Sequence, residues 1–255
     1  MTKTMKLHLT ALFLLCAAWT LSAQEQIYNM NFDQWHKNSG TWYPYPEKAT
    51  EPQKVWDSAN KGLSIIRANT TTPDNEHLAP VRKDGSAAKI QSRSIFGIFV
   101  AGNLFTGVFH KASGTSGAVM TFGTPFTSRP KSLSGWYHYK PGTINYVKAP
   151  YKDKKGKTDE GIIDVSLLDC KSLSTIDTAK EKFVPAEKNP DCVGFGKLIL
   201  KEETNGYVQF ELPIEYKNDK KPTFVVISVT PSRLGEFFTG SSDSVLYVDE
   251  WQFNY

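Results

Sequence analysis

The chain has 255 residues, 40% hydrophobic and 13% aromatic, a composition that excludes disorder and favours strands over helices. Its formal charge of +4 falls to +2 if Lys3 and Lys6 leave with an N-terminal leader, too little for a nucleic-acid footprint, so no nucleic-acid partner is expected. The length suits one large β domain or two small ones.

Residues 1–23 read as a signal peptide. Lys3 and Lys6 form a basic start, residues 7–21 are apolar, and Ser22-Ala23 supplies small residues for cleavage before Gln24. The apolar run is shorter than a membrane span and nothing later reaches it, so no transmembrane segment is expected. The mature chain, 24–255, is expected to be an exported monomer, in the periplasm or on the outer cell surface. Export permits a disulfide between Cys170 and Cys192, which would contribute ~3 kcal/mol. Against it, Cys170 ends an apolar strand and could equally be a buried thiol.

In chain order, residues 26–33 read as a short strand with Tyr28, Met30 and Phe32 to one side. Residues 35–60 lack regular structure; Trp35, Trp42, Tyr43, Tyr45 and Trp56 are spaced among Pro44, Pro46 and Pro52. A long aromatic loop is usually functional or packed on its own sheet. Strands are expected at 62–68, 86–91 and 94–100, with a polar loop over 70–84. A turn punctuated by Gly123, Pro125 and Pro130 leads into the stretch that organises the chain. There Leu133, Gly135, Tyr137 and Tyr139 share one face, fit for a core. Ser134, Trp136, His138 and Lys140 share the other, fit to line a groove. Pro141-Gly142 turns into a further strand over 143–148.

Residues 161–169 are a strand, 171–190 a polar insertion, partly helical at best, and 197–201, 207–215, 223–230 and 244–255 further strands. In 207–215, Val208, Phe210 and Leu212 face inward and Gln209 and Glu211 outward. In the last strand Leu246 and Val248 share one parity, while Trp251, Phe253 and Tyr255 share the other. One extra residue near Asp249-Glu250, a β-bulge, would bring both sets into one core. About a dozen short strands with turns between them argue a single all-β sandwich or barrel, with its first and last segments as neighbours.

Several motifs run through the mature chain in order: Asn31-Phe32-Asp33-x-Trp35, Trp56-Asp57-Ser58-Ala59-Asn60, Gly102-Asn103-Leu104-Phe105-Thr106-Gly107, Gly123-x-Pro125-Phe126-x-x-Arg129-Pro130, Leu133-x-Gly135-x-Tyr137-x-Tyr139 and Leu246-Tyr247-Val248-Asp249. In these the chain resembles the putative carbohydrate metabolism domain family of exported proteins from glycan-foraging Gram-negative bacteria. The resemblance implies a two-sheet β-jelly-roll, like a carbohydrate-binding module, and a role with carbohydrate. Jelly-roll modules of that kind often hold a structural Ca²⁺ where the last strand passes the first. Here Asp249 would be the side-chain ligand, with Asp33 or Asn31 nearby, and the alternative is an Asp249 that only accepts hydrogen bonds at the bulge.

The sequence lacks the common catalytic signatures: Gly-x-Ser-x-Gly, His-Glu-x-x-His and acids alternating along one strand are all missing. Glu211 and Glu215 are outward carboxylates, and His36, His77, His110 and His138 are scattered. The expected function is glycan recognition in an aromatic-lined groove. Trp42, Tyr43, Trp56, Trp136 and His138 would stack on sugar rings, with Asn60 and Arg129 as polar partners. A glycoside hydrolase whose carboxylate pair is assembled only by folding, and a cell-surface adhesion or assembly component, are the alternatives.

Overall fold

A computed structural model describes residues 24–114, 116–181 and 183–255. The expected signal peptide, residues 1–23, lies outside the described residues. The strands, in chain order, are β1 (His36–Asn38), β2 (Thr41–Tyr43), β3 (Trp56–Asp57), β4 (Thr71–Asp74), β5 (Ala87–Gln91), β6 (Arg93–Ile95), β7 (Ile98–Val100), β8 (Leu104–Ala112) and β9 (Ala118–Phe122). They continue with β10 (Thr124–Pro125), β11 (Ser132–Lys140), β12 (Gly161–Leu168), β13 (Thr175–Asp177), β14 (Cys192–Leu200), β15 (Val208–Pro213), β16 (Glu215–Tyr216), β17 (Phe224–Thr230) and β18 (Val245–Asn254).

Two antiparallel sheets form the jelly-roll sandwich. One is nine-stranded, in the order β13-β9-β8-β17-β12-β14-β16 with β10 and β3 added to it; the other is five-stranded, β15-β11-β18-β5-β4. Alternation decides what enters the space between them. Ile163, Val165 and Leu167 of β12 and Val225, Ile227 and Val229 of β17 meet Leu133 and Tyr139 of β11 and Leu246, Val248 and Phe253 of β18 in one core. Tyr137 packs against that core and Phe210, so the two faces of β11 fall as their parity requires.

The bulge lies where the last strand needs it. Ser134 is level with Gln252 and Trp136 with Asp249, so Glu250 and Trp251 together oppose Gly135. Glu250 takes φ 52°. The extra residue reverses the parity, and Trp251 is buried along with Val248. A Cβ on Gly135 would stand 2.2 Å from Trp251 Cδ1, so the ring folds over a position that only glycine can fill.

Several expected elements take another form. Residues 26–33 are coil and turn, because Asn29 and Phe32 adopt φ of 60° and 54°. This segment is nonetheless stitched to β18: the Gln26 amide exchanges hydrogen bonds with Phe253, and the Trp251 N–H donates to the Met30 carbonyl at 2.9 Å. In place of a strand over 62–68 there is a 3₁₀ helix, Ala59–Ile66, capped by Ser58, whose Ile65 and Ile66 face solvent. Residues 94–100 break into the β6–β7 hairpin at Phe96-Gly97, and 143–148 makes only isolated bridges, Thr143 with Thr158 and Tyr146 with Gly240. The insertion 171–190 contributes β13 to the sheet edge. Cys170 and Cys192 are free thiols, which corrects the disulfide expectation. Asp169-Cys170 turns around the Thr223 hydroxyl, while Cys192 Sγ donates to the Gly194 carbonyl.

Replacing Gly135 by Ala should force Trp251 out of place and cost about 1–3 kcal/mol, as overpacking usually does. Urea denaturation gives the number, and an unchanged midpoint would mean the bulge tolerates a side chain there.

Candidate functional site

The outward face of the five-stranded sheet is open at one end. Register puts Gln209 and Glu211 of β15, Ser134 and Trp136 of β11, and Gln252 and Asn254 of β18 on this face. Ser134, Gln209, Phe210, Glu211, Gln252 and Asn254 line a shallow depression of about 510 Å³. Its polar groups hold one another in place. The Asn254 amide donates to Ser132 Oγ and Ser134 Oγ, both at 2.9 Å; Ser132 Oγ donates to Glu211 Oε1 at 2.7 Å; the Gln252 amide donates to Asn254 Oδ1 at 3.1 Å. Trp136, partly exposed, stands level with Gln209. Hydroxyls, amides and one carboxylate fixed on a sheet beside an indole can pair with a ring of hydroxyls and stack on its apolar face.

The rest of this face is closed. His138 was expected in a groove, and it is 7% exposed. Its Nδ1 lies 2.8 Å from Thr204 Oγ1, and its ring stacks on Tyr247 at 5.6 Å. The loop 75–84 meets the segment 201–207 above it, where the Tyr207 hydroxyl donates to the His77 carbonyl at 2.8 Å. Burial, and then the charge of Lys140, hold the His138 pKa below the ordinary value. The imidazole is therefore neutral at pH 7 and covered.

The remaining candidates do not gather at the depression. Trp42 and Tyr43 sit on the β1–β2 hairpin, where Lys37 lies over the Trp42 ring and His36 stacks on Tyr43 at 4.8 Å. Trp56 is fully buried, edge-on to Phe32 at 5.3 Å, with its Nε1–H on the Tyr28 carbonyl, so it cannot stack on a ligand. Asn60 is buried too: it donates to the Trp42 and Thr71 carbonyls and accepts from the Thr70 and Thr71 N–H groups, tying hairpin to sheet. Arg129 lies 3.9 Å over the Tyr216 ring and donates to the Asn218 and Lys220 carbonyls, clamping a turn. These placements correct the expected roles of Trp56, Asn60, Arg129 and His138. Gln252 and Asn254 were missed, and Ser134 and Gln209, though read as outward-facing, were not singled out as site residues. The signal was the outward parity of each strand, but choosing among outward residues requires knowing which strands lie side by side.

Asn31, Asp33 and Asp249, the expected Ca²⁺ ligands, do come together, and around a guanidinium. Arg82 donates to Asp33 Oδ1 at 2.6 Å and to Glu250, and its Nη1 is 3.8 Å from Asp249 Oδ1. The Asn31 amide donates to Asp33 Oδ2 at 2.7 Å. Ca²⁺ needs six to eight oxygens at about 2.3–2.6 Å, and here a guanidinium bonded to Asp33 and Glu250 stands between the carboxylates, with Asp249 Oδ1 left without a hydrogen-bond partner. The donor set does not fit the ion, and among the described residues no cluster of three or more His, Cys, Asp or Glu is arranged to hold a metal. Asp249 instead accepts from the Ala79 N–H at 2.9 Å, and burial pushes its pKa up to about 6.

Glu211 and Glu215 do not form a pair: Glu211 is on the five-stranded sheet, whereas Glu215 pairs with Phe195 at the edge of the nine-stranded one. Asp57 and Asp159 are buried, and burial raises both pKa values, yet each is fully engaged. Lys61, the Ser58 N–H and the Phe109 N–H hold Asp57. The Ser232 and Ser244 hydroxyls and the Ser241 and Glu160 N–H groups hold Asp159. Both acids serve the fold.

The profile of the putative carbohydrate metabolism domain matches residues 31–253. The chain belongs to that family. Two solved structures share the fold of this carbohydrate metabolism domain. One is a putative glycoside hydrolase from Bacteroides thetaiotaomicron VPI-5482, 24% identical, with a TM-score of 0.67 over 91% of this chain and 71% of that one. The other is a putative glycoside hydrolase from Bacteroides vulgatus ATCC 8482, 21% identical, with a TM-score of 0.66 over 88% and 96%. No curated protein matches the chain. Among the described residues of the domain, no helix is long and apolar enough to cross a membrane.

Asp249 gives this region a pH signature. Its folded pKa of about 6 lies above the unfolded value of roughly 4, so the folded state binds the proton more tightly. Stability from this group therefore rises as pH falls from 6 towards 4, and the cost of the buried charge is complete above 6. Asp249→Asn, which retains an acceptor for Ala79, should gain most over wild type above pH 6 and lose that advantage towards pH 4. Taking the difference cancels Asp164, which burial also pushes to about 6. A difference constant across urea titrations at several pH values would show that Asp249 does not titrate in this window. Millimolar Ca²⁺ and excess chelator should give one melting curve, because Arg82 occupies the space between Asp33 and Glu250 that the ion would need.

Proposed function

We propose that the chain is an exported, monomeric glycan-binding domain whose site is the polar depression on the five-stranded sheet, with Trp136 as its stacking surface. One observation carries the reading: the interlocked ladder of Ser132, Ser134, Glu211, Gln252 and Asn254 on an open face, beside a partly exposed indole. Donors and acceptors that already hold one another need little reordering when a ligand arrives, so less of the binding energy is lost. Membership of a carbohydrate family supports the ligand class. The expected aromatic-lined groove becomes a polar floor with one indole beside it. Glu211 is the one acid among the lining residues, and glycoside hydrolysis needs two carboxyl groups about 5–9 Å apart, so binding without cleavage is the reading the lining favours.

A glycan array, followed by a reducing-end assay on each hit, tests this directly. Trp136→Ala and Asn254→Ala should each weaken the retained glycan about tenfold or more, as loss of a central contact does, with little change in melting temperature. Glu211→Gln should keep most of the affinity. New reducing ends released by wild type, and lost in Glu211→Gln, would make the domain a hydrolase instead.

A further inference from the structure

The β6–β7 hairpin turns through two residues, Phe96 and Gly97, with φ of 50° and 77°. That geometry favours Asn or Gly at its first position, and a phenylalanine there carries a steric cost. Its ring is 86% exposed, so packing within the chain does not repay that cost. Beside the turn is a pocket of about 200 Å³, lined by Ile98, Phe99, Tyr146, Lys148 and Phe238 together with Gly97 and Val147. Phe99 and Tyr146 stack at 5.6 Å, and the Tyr146 hydroxyl is hydrogen-bonded to Ser94, which fixes the wall. Lys148, itself exposed, holds its ammonium 4.0 Å from the centre of the Phe238 ring. It opens a run with five lysines and one acid between 148 and 157, and that acid, Asp153, is paired with Lys157 at 3.5 Å.

We propose that this end of the molecule is a second saccharide site, selective for an acidic glycan. Flat aromatic walls receive the C–H face of a sugar ring, and the Lys148 ammonium receives a carboxylate or sulfate on that ring. The remaining lysines concentrate a polyanion around the pocket. The site is separate from the sheet depression. Gln91, the last residue of β5 before this hairpin, pairs with Val245, which pairs with Lys140, and Ser134 lies further along β11, roughly 20 Å away at the strand rise. A membrane surface is the less suited partner, because Phe96 is the single large ring projecting from the turn and the other rings are engaged as pocket walls.

Calorimetric titration of the full chain tests the assignment with three probes: trigalacturonate, a sulfated galactose trisaccharide and the uncharged galactose trisaccharide. At least one anionic probe should bind, more weakly at high salt. Its affinity should fall about tenfold in Lys148→Gln, the scale of one charge-assisted hydrogen bond, with a loss also in Phe96→Ser. Trp136→Ala should leave it unchanged, and both surface variants should melt with wild type. Which anion binds identifies the substituent. The proposal falls if neither anionic probe binds, if the neutral trisaccharide binds as tightly, or if the two variants behave as wild type. Loss in Trp136→Ala would return the ligand to the sheet face. Phe96-dependent sedimentation with phosphatidylserine vesicles, without binding of the trisaccharides, would make the surface a lipid one.

Discussion

Glu250 and Trp251 share the space opposite Gly135, and the sandwich depends on that one miscount. A β18 of constant parity could bury Leu246 and Val248 or Trp251 and Phe253, but not both sets. With the bulge all four enter the core, and Trp251 meets Phe32 and Phe210 edge to face at 5.6 and 5.4 Å. The same step moves Gln252 and Asn254 to the outer face, level with the β11 serines. Core and candidate site are thus two consequences of one backbone irregularity. Gly135 permits it, since any Cβ would occupy the Trp251 ring's place.

Upstream of the bulge the outer face is covered. Asp249, on that outer face, is covered by the loop whose Ala79 N–H it accepts, and Arg82 bonds Asp33 and Glu250 across the joint between the N-terminal segment and β18. This ion cluster does the fastening that the sequence assigned to Ca²⁺. A guanidinium can bond several carboxylates at once in a planar fork, which a coordinated ion would need more oxygens to match. The loop it anchors, together with 201–207, closes over His138 and Tyr247. Downstream, Glu211 and Gln252 are exposed and Ser134 and Asn254 partly so, over a buried Ser132.

The architecture was legible in the sequence where a pattern has a single solution. The alternation in β11, β12 and β15 and the broken parity of β18 each admit one arrangement, and the structure has it. Strand character failed where local chemistry wins over apolar content. Ser58 caps a helix that leaves Ile65 exposed, and Phe32 takes a left-handed φ to stand between two indoles. The site was less legible because aromatic content does not reveal burial: Trp56 and Trp136 are the same residue type, one at the centre of the core and one at the rim of the depression. The motifs that carry the family resemblance mostly build the scaffold. Asn60 cross-links two elements, Asn103 accepts from the Ala59 N–H at 2.8 Å, and Asp57 is held by two backbone amides and a lysine. The ladder residues belong to no such motif apart from their place between its members.

Perturbed acids usually point to chemistry, and in this chain they point away from it. Asp57, Asp159 and Asp249 are the deeply buried carboxylates; the first two have donors for their oxygens in the backbone or in fixed side chains, while Asp249 accepts from the Ala79 N–H on Oδ2 and its Oδ1 has no hydrogen-bond partner among the described residues. They secure loops to sheets at places no ligand reaches. The open depression presents hydroxyls, amides and one carboxylate that accepts from Ser132. Groups of that kind give affinity through geometry, at the modest net value of each hydrogen bond exchanged with water. An arrangement of this sort suits an array of hydroxyls, which is the binding reading proposed above. At the β6–β7 hairpin, outside that sheet, the lining changes to rings and an ammonium, the chemistry on which the second-site proposal rests.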